Sequence, residues 1–598
     1  MPHPTTPSAA HSPAHASTHP TVANARDALG QFAELERPNA FASDTQFQRL
    51  MARYLGAAYA AHAPQLDRFG AIAMGPLDDA ARVNNQNENL PRLGRWSPFG
   101  ERLEGVEHHP SYDVCGRHIY QDGEVIAAYA ERPGNVLALG RAYLAGHVGE
   151  AGHNCPVACT AGVVKALRKK GSAELQARWL PGLLTANYAE RLDGAQFITE
   201  LQGGSDVGQN AVRAEPDGTA MGTTRWRLYG EKWFCSNAAA ALQLVTARVD
   251  DAKTGTSGLG LFLVPRHLDE AGGQVNAYSL RRLKDKIGTR SMPSGEIDYH
   301  GAIGYAVGPV TEGFKTLMTE VIQTSRIYNT VAVTGAARRA RLVAHAYAKT
   351  RTAFGTPIIG FPLVQGMLAE IRGIGQASLA AGLHLAHLLD EDERRGLAAP
   401  ERAYLRVAAN LVKMRTAQLA HRAVLLAIET LGGNGTIETF SVLPRLMRDN
   451  VVCENWEGTH NTLIAQTVRD FGPIGLAPGF FATLGGLFVE AARDPAVAVA
   501  LASAREAVTA AHDALVGLAA ERDPGRAAFF LRPHAERLGD AVLAATFGVD
   551  IATERDPARR AADTDTLAHF VDLYLRGTKA PWDAAMADRV ARIAQLEG

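Results

Sequence analysis

The hydrophobic period of the chain changes twice, and that limits its fold more than any other feature. From about residue 26 to 195 the pattern is mostly helical, with turns around Pro76, Pro91 and Pro133. Helices are expected near Val163–Leu167 and Glu174–Leu180. From about 196 to 305 the helix-length periodicity vanishes. Short β-like runs replace it at Trp226–Tyr229, Leu242–Val249 and Leu259–Val264, punctuated by Gly and Asp. From about 306 to 470 the chain is helical again and rich in Ala. Long helices are expected over Ser325–Lys349, Leu363–Leu389 and Pro400–Leu431. Small side chains let such helices approach closely, and a bundle follows. After Phe471 the run GPIGLAPG marks a break, and amphipathic patterns return around 481–493, 497–520, 526–548 and 564–576.

A chain of 598 residues is too long for one core. The expected fold class is multidomain α+β. It has a disordered tail over 1–25, an N-terminal helical domain over 26–195 and a central β-barrel-like domain over 196–305. A C-terminal four-helix bundle over 306–470 and an appended helical domain over 471–598 complete it. The tail is rich in Pro, Ala, His, Ser and Thr and lacks an apolar core segment, so it does not read as a secretory signal. Its His3, His11, His15 and His19 are read as part of a flexible tail rather than as a metal site.

Charge and cysteine content narrow the function classes. Lys plus Arg is 61 and Asp plus Glu is 62, so no global basic field points to nucleic acid. The five cysteines (Cys115, Cys155, Cys159, Cys235 and Cys453) are sparse and odd in number, which fits a reducing compartment. No apolar run approaches the ~20 residues that span a bilayer, and a cytoplasmic protein is the default. His153, Cys155 and Cys159 read as a helix start with small core residues, and His108-His109 before Pro110 as a turn. No metal is assigned.

Four groups of residues carry chemistry. In Ile198-Thr199-Glu200-Leu201-Gln202-Gly203-Gly204-Ser205-Asp206, amides and hydroxyls of a turn can face an anion or a ring edge, and a surface turn explains it as well. In Gly230-Glu231-Lys232-Trp233-Phe234-Cys235-Ser236-Asn237, an aromatic pair beside a hydroxyl suits a planar cofactor, and equally a strand core. Arg351-Thr352-Ala353-Phe354-Gly355 offers an Arg to a phosphate, or an exposed helix end. The last group is Leu431-Gly432-Gly433-Asn434-Gly435, then Leu446-Met447-Arg448-Asp449, then Trp456-Glu457-Gly458-Thr459. Glu457 lies in an apolar stretch, where burial would raise its pKa towards what a general base needs.

The ordered set ITELQGGSD, GEKWFCSN, EGFKTLM, RTAFG, LGGNG, LMRD and WEGT resembles the acyl-CoA dehydrogenase family over roughly 140–470. AELQARWLPGLL resembles that family's N-terminal domain. The QGGSD form, the LKDKIGTRS segment, Pro362 in GFPLVQ and the added C-terminal domain resemble its AidB-like branch.

The resemblance implies an FAD enzyme that desaturates an acyl-CoA thioester, with Glu457 as the base. Gln196, Ile198, Thr199, Gly204 and Ser205 would line the flavin, and Phe234, Cys235 and Ser236 would sit against its ring. Arg351, Phe354, Glu429, Gly432 and Gly433 would reach FAD, partly that of a neighbouring subunit, and Thr459, His460 and Asn461 would continue the contact. Ser205, Arg326, Trp456 and Gly458 would meet the substrate. Ser325 stands where some members carry an alternative base, Gln323 where many carry an Asp that holds CoA, and Pro362 where many carry a Gln that contacts FAD. A homodimer or homotetramer and an electron-transfer flavoprotein as acceptor are implied in the same way. The AidB-like branch also implies a second reading, a DNA-associated flavoprotein with a vestigial site. The acidic balance of 471–598, with 13 Lys plus Arg against 17 Asp plus Glu, speaks against it. Arg555, Arg559 and Arg560 form the local basic feature there, and Arg559-Arg560 reads as a solvated helix end.

Overall fold

A computed structural model describes residues 20–250, 253–269, 274–519 and 528–597. The reading of the four tail histidines lies outside them. The first helix, α1 (Pro20–Leu35), starts inside the span expected to be a disordered tail. It is followed by α2 (Thr45–Leu55), α3 (Tyr59–Ile72), α4 (Asp78–Asn84), α5 (Pro110–Gly116), α6 (Asn135–Gly146), α7 (Ala151–Lys170) and α8 (Ala173–Leu184). Capping side chains fix several of these starts. Asp44 accepts from the Phe47 amide ahead of α2 (2.9 Å), and Ser172 from the Leu175 amide ahead of α8 (3.1 Å).

One element departs from the helical expectation for this region. Strands β1 (Arg92–Trp96) and β2 (Arg102–Glu107) form an antiparallel hairpin. Alternating Arg-Leu-Gly-Arg-Trp and Arg-Leu-Glu-Gly-Val-Glu, joined by a turn ending at Gly100, have the two-residue period of a strand.

The central sheet contains β3 (Gly194–Phe197), β4 (Arg213–Ala220), β5 (Thr223–Ser236), β6 (Leu242–Arg248), β7 (Leu259–Pro265), β8 (Tyr278–Leu283) and β9 (Ser294–Ala306). Strands β6 and β7 pair antiparallel along their whole length, β7 pairs β9, β9 pairs β5, and β5 pairs β4. A bridge from Arg213 to Arg248 joins β4 back to β6, so the sheet closes. β3 adds in parallel to β6, and β8 adds to β9. Phe197, Leu228, Val245, Phe262 and Ile297 fill the interior. Closure removes most of the unpaired edge that an open sheet would expose.

The helical part resumes with α9 (Gly313–Thr316), a π turn over Leu317–Ile322, and α10 (Gln323–Thr350). A two-residue hairpin, β10 (Thr352–Ala353) with β11 (Thr356–Pro357), leads to α11 (Pro362–Arg395) and α12 (Ala399–Leu431). Then come α13 (Leu443–Asn455) and α14 (His460–Phe471). Beyond the GPIGLAPG break are α15 (Ala477–Ala491), α16 (Pro495–Ala500), α17 (Ala502–Ala519), α18 (Leu531–Ile551), α19 (Pro557–Val571) and α20 (Ala584–Gln595). The pattern expected as one helix over 497–520 is two helices. The last helix, α20, was not anticipated; Asp583 caps it by accepting from the Met586 amide (2.9 Å).

One apolar core runs through all the helical parts. It joins Phe47 of α2, Leu139 of α6, Val331 of α10, Ile371 of α11, Leu411 of α12, Leu538 of α18 and Phe570 of α19. Each such side chain contributes roughly 1.5–3 kcal/mol relative to exposure. Arg49 of α2 adds a buried cross-link to the C-terminal helices, with Asp550 at 2.7 Å, Asp563 at 3.1 Å and Glu554 beside them.

Candidate active site

The site grows from the turn between α13 and α14. Trp456 ends α13, and the Thr459 hydroxyl caps α14. Only Glu457 and Gly458 lie between them, with φ of +56° and +106°. The left-handed conformation is costly for a glutamate, so other contacts must hold it. Two buried cations do so. Arg326 of α10 donates from Nε to the Glu457 carbonyl (3.0 Å) and from Nη1 to Asn410 Oδ1 (2.6 Å). Lys413 of α12 donates to the carbonyls of Gly458 (3.0 Å) and Glu454 (3.1 Å). Trp456 is held in turn by its indole N–H, which donates to Asn329 Oδ1 (2.5 Å).

Glu457 is half-buried; its Oε2 is buried and has no protein hydrogen-bond partner. Burial raises its pKa above the ordinary carboxylate range, while Arg326 and then Lys413 oppose the rise. Burial also lowers Lys413 to about 8 and Arg326 to about 10. Burial and two nearby cations therefore act on the carboxyl in opposite directions.

Glu457 faces a cavity of about 80 Å³. One face of each of four helices encloses it: Ala142 and Gly146 of α6, Cys155 and Cys159 of α7, Asn329 and Ala332 of α10, and Asp449 and Cys453 of α13. On the far side of Arg326 lies a second cleft of about 300 Å³ between α9–α10, α12 and α14. Lys315, Gln323, Arg326, Arg406, Arg469 and Asp470 line it. Arg406 is paired with Asp470 (2.7 Å), and Arg469 lies 3.7 Å from the same carboxylate. Three exposed or half-exposed cations against one carboxylate leave the cleft basic.

A set of hydroxyls lies on the barrel side of the turn. Ser205 Oγ and Thr459 Oγ1 each lie 3.0 Å from Thr462 Oγ1. The Thr199 carbonyl accepts from the Trp233 amide (2.9 Å), so the ITELQGGSD and GEKWFCSN segments run side by side. A Cβ at Gly204 would meet the Thr199 side chain at 3.2 Å, so the turn closes against that hydroxyl. Phe234 is 40% exposed at this edge. Gln196 joins the group from β3, its amide nitrogen 3.3 Å from Ser325 Oγ.

Several expected site residues sit elsewhere. Cys235 is fully buried, with its side chain in the barrel interior, away from the edge where Phe234 is exposed. His460 turns towards Glu454 (3.0 Å), which also holds His421 (2.5 Å). Asn461 accepts from Arg532 of the appended helices (2.6 Å). Arg351 and Phe354 lie at the C-terminal end of α10, near Tyr347, whose hydroxyl accepts from Asn434 (3.1 Å). Phe354 is 99% exposed, and Glu429, Gly432 and Gly433 are exposed too. No contact within the described chain brings this second group to Glu457.

Sequence reasoning did not single out Lys413, Asn329 or Asn410. The one signal for Lys413 was a single lysine among the arginines of the long, Ala-rich α12; Asn329 follows Arg326 by three residues, on the same helix face. His153, Cys155 and Cys159 all lie in α7 and are buried. His153 hydrogen-bonds the Tyr112 carbonyl (2.8 Å), and no group of metal ligands occurs among the described residues. His109 caps α5 by accepting from the Ser111 amide (3.2 Å), as expected for a turn.

A helical domain, a closed sheet and a helical bundle meeting at a half-buried glutamate define an acyl-CoA dehydrogenase type of protein. Three family models match in order. They are the adaptive response protein AidB N-terminal domain over 30–190, the acyl-CoA dehydrogenase middle domain over 195–301 and the acyl-CoA dehydrogenase C-terminal domain over 311–471. The chain is 32% identical over 417 residues to the putative acyl-CoA dehydrogenase AidB of Escherichia coli K12, covering 68% of this chain and 73% of that protein. It is 28% identical over 457 residues to acyl-CoA dehydrogenase family member 11 of Caenorhabditis elegans, covering 72% and 70%. Among solved structures, it matches the apo form of Bd2924 with a TM-score of 0.77 and 28% identity, over 86% of this chain and 98% of that one. The fold also matches C. elegans ACDH-11 in complex with C11-CoA, with a TM-score of 0.80 at 24% identity, over 94% and 96%. The chain belongs to the acyl-CoA dehydrogenase family. Among the described residues, no helix is long and apolar enough to cross a membrane.

Proposed function

We propose that the protein is an FAD-dependent acyl-CoA dehydrogenase that introduces an α,β double bond, with Glu457 as the base. One observation carries the reading: a carboxylate with a buried, unpartnered oxygen faces a cavity, and two cations fix its main chain.

The residues fit the cofactor. The hydroxyls of Thr199, Ser205 and Thr459 and the half-exposed Phe234 offer what a planar ring with a polar edge needs. Gln196, Ile198, Gly204 and Ser236 would complete that wall. Arg351, Phe354, Glu429, Gly432 and Gly433 would serve the site of a second copy, which accounts for their exposure here. FAD supplies the hydride acceptor; the protein positions and tunes.

The chain's own residues do the rest. Glu457 Oε2 takes the α-proton. The Glu457 main-chain N–H would donate to the thioester oxygen, where negative charge develops. Arg326 and Lys413 keep the strained turn in place and limit how far the carboxyl pKa rises. The basic cleft lined by Lys315, Arg406 and Arg469 suits the phosphates of the CoA carrier, with Gln323 on its wall. Trp456 and Gly458 flank the reacting carbons. Electrons would leave to an electron-transfer flavoprotein.

An anaerobic titration of the holoprotein with acyl-CoAs of several lengths tests this. Bleaching of the flavin by one chain class is expected, slowed by about 10²–10⁴ in Glu457→Gln. A flavin that no acyl-CoA reduces would refute the reading.

A further inference from the structure

The cavity facing Glu457 is unusual for a pocket that takes a plain alkyl chain. Its walls hold several buried polar atoms with no protein partner: Thr289 Oγ1, Asn329 Nδ2, Asp449 Oδ2 and Asn450 Oδ1, besides Glu457 Oε2. Burying such atoms against hydrocarbon would leave each desolvated and unpaired, which is costly. A ligand able to pair with them removes that cost.

The sign of the charge narrows the ligand. Glu150, Asp449 and Glu457 line the cavity, and no Lys or Arg does. The Glu150 oxygens are already occupied. They accept from the Gly152 amide (2.8 Å), Ser291 Oγ (2.8 Å), Asn85 (2.9 Å) and Asn84 (3.3 Å). Asp449 uses one oxygen for the Thr289 amide (2.6 Å) and leaves the other unpaired. A dicarboxylic acyl chain would put an anion beside these carboxyls, with no cation in the wall to meet it. A neutral hydroxyl suits the site on both counts. It can donate to Asp449 Oδ2 and accept from Asn329 Nδ2, and a water-sized group fits among the small side chains of Gly146, Ala332 and Cys453. Asp449 and Glu457 are eight positions apart along α13 and its end, roughly 12 Å at the helical rise per residue. The hydroxyl would therefore lie well beyond the α-carbon, towards the tail of the acyl group.

Building on the dehydrogenase reading above, we infer that this cavity selects acyl thioesters carrying a hydroxyl in the distal part of the chain, recognised by Asp449 and Asn329. The test is calorimetric binding to the wild-type holoprotein at about pH 8, above the raised pKa of Asp449, where its free oxygen is an acceptor. The ligands are the α,β-unsaturated thioesters of CoA, products of the proposed reaction, in ω-hydroxyhexenoyl, hexenoyl, ω-hydroxyoctenoyl, octenoyl and glutaconyl forms. A hydroxylated chain is expected to bind about tenfold or more tighter than its alkyl twin, and the dicarboxylic form weakest. Asp449→Asn keeps an oxygen for the Thr289 amide but turns the free acceptor into a donor, so the preference should collapse in that variant. Equal or weaker binding of both hydroxylated chains would overturn the inference, as would a preference that survives in Asp449→Asn. The saturated thioesters, run alongside for flavin bleaching, separate this from the reaction itself. Selective binding without bleaching would leave the pocket assignment standing and refute the desaturation. Bleaching without selectivity would do the reverse.

Discussion

At the scale of the residue, the balance around Glu457 sets its pH behaviour. Burial pushes the carboxyl up, and Arg326 and Lys413 pull it back. The base works as a carboxylate, so turnover should fall as pH drops through this raised pKa. Lys413→Met keeps the length of the side chain and removes the cation. Without it the Glu457 pKa must rise further, so the acid limb of the kcat/KM profile should move to higher pH. An acid limb that stays put, with the protein folded, would show that Lys413 is too well screened to tune the base. Asp449 gives a second readout, this one of stability. Burial raises its pKa to about 7. A carboxyl whose folded pKa is raised loses its stabilising contribution as pH climbs through that value. Asp449→Asn stays neutral throughout, so its Tm relative to wild type should increase between about pH 4 and about pH 7 and level off above. A flat difference would mean that Asp449 is paired or hydrated more fully than its burial suggests.

At the scale of the element, period and caps made most helices and strands legible. The runs at Leu242–Val249 and Leu259–Val264 are the paired strands β6 and β7, and the long Ala-rich segments are α10, α11 and α12. The β1–β2 hairpin was missed because its five and six residues sit between helices and carry charged residues on their exposed face. The site was legible where residues adjoin in sequence, as in Trp456-Glu457-Gly458-Thr459. It was not legible where helices bring distant positions together. Arg326, held by Asn410, and Lys413 meet the turn only because one face of α10 and one face of α12 converge there. Nor could the sequence foretell that Cys235 alternates into the barrel while Phe234 alternates out, since that depends on strand register. The same logic applies to the link between α2 and the C-terminal helices. Arg49 pairs with Asp550, Asp563 and Glu554, all largely buried. Arg49→Ala leaves the buried Asp550 without its cation, while Asp563 keeps Arg372 (3.4 Å) and Glu554 keeps Arg559 (3.3 Å), and should destabilise the protein by about 3–5 kcal/mol, read from denaturant unfolding. A loss under about 1 kcal/mol would place those carboxylates in contact with water.

At the scale of the whole molecule, the helices beyond Phe471 are not a tethered module. They share one apolar core with the bundle, through Phe480, Leu484, Leu538, Val542 and Phe570 packed with residues of α11 and α12. Arg415 of α12 is paired with the buried Asp540 of α18 (2.8 Å), and Arg532 reaches Asn461 at the start of α14, next to the proposed base loop. Arg559 and Arg560 are engaged within the fold. Arg559 pairs with Glu554 (3.3 Å), and Arg560 donates to the Glu554 carbonyl (3.0 Å). A core shared in this way couples the stability of its parts, because neither side can open without exposing the other's apolar face. Calorimetry of the full chain should therefore show the bundle and the C-terminal helices melting in one transition. Protease cleavage between α14 and α15 should become fast only as that transition begins. A separate, lower-temperature transition, with cleavage near Gly472–Gly475 while the rest stays folded, would show instead that the appended helices dock loosely. In that case their contact through Arg532 and Asn461 could not help hold the turn that carries Glu457.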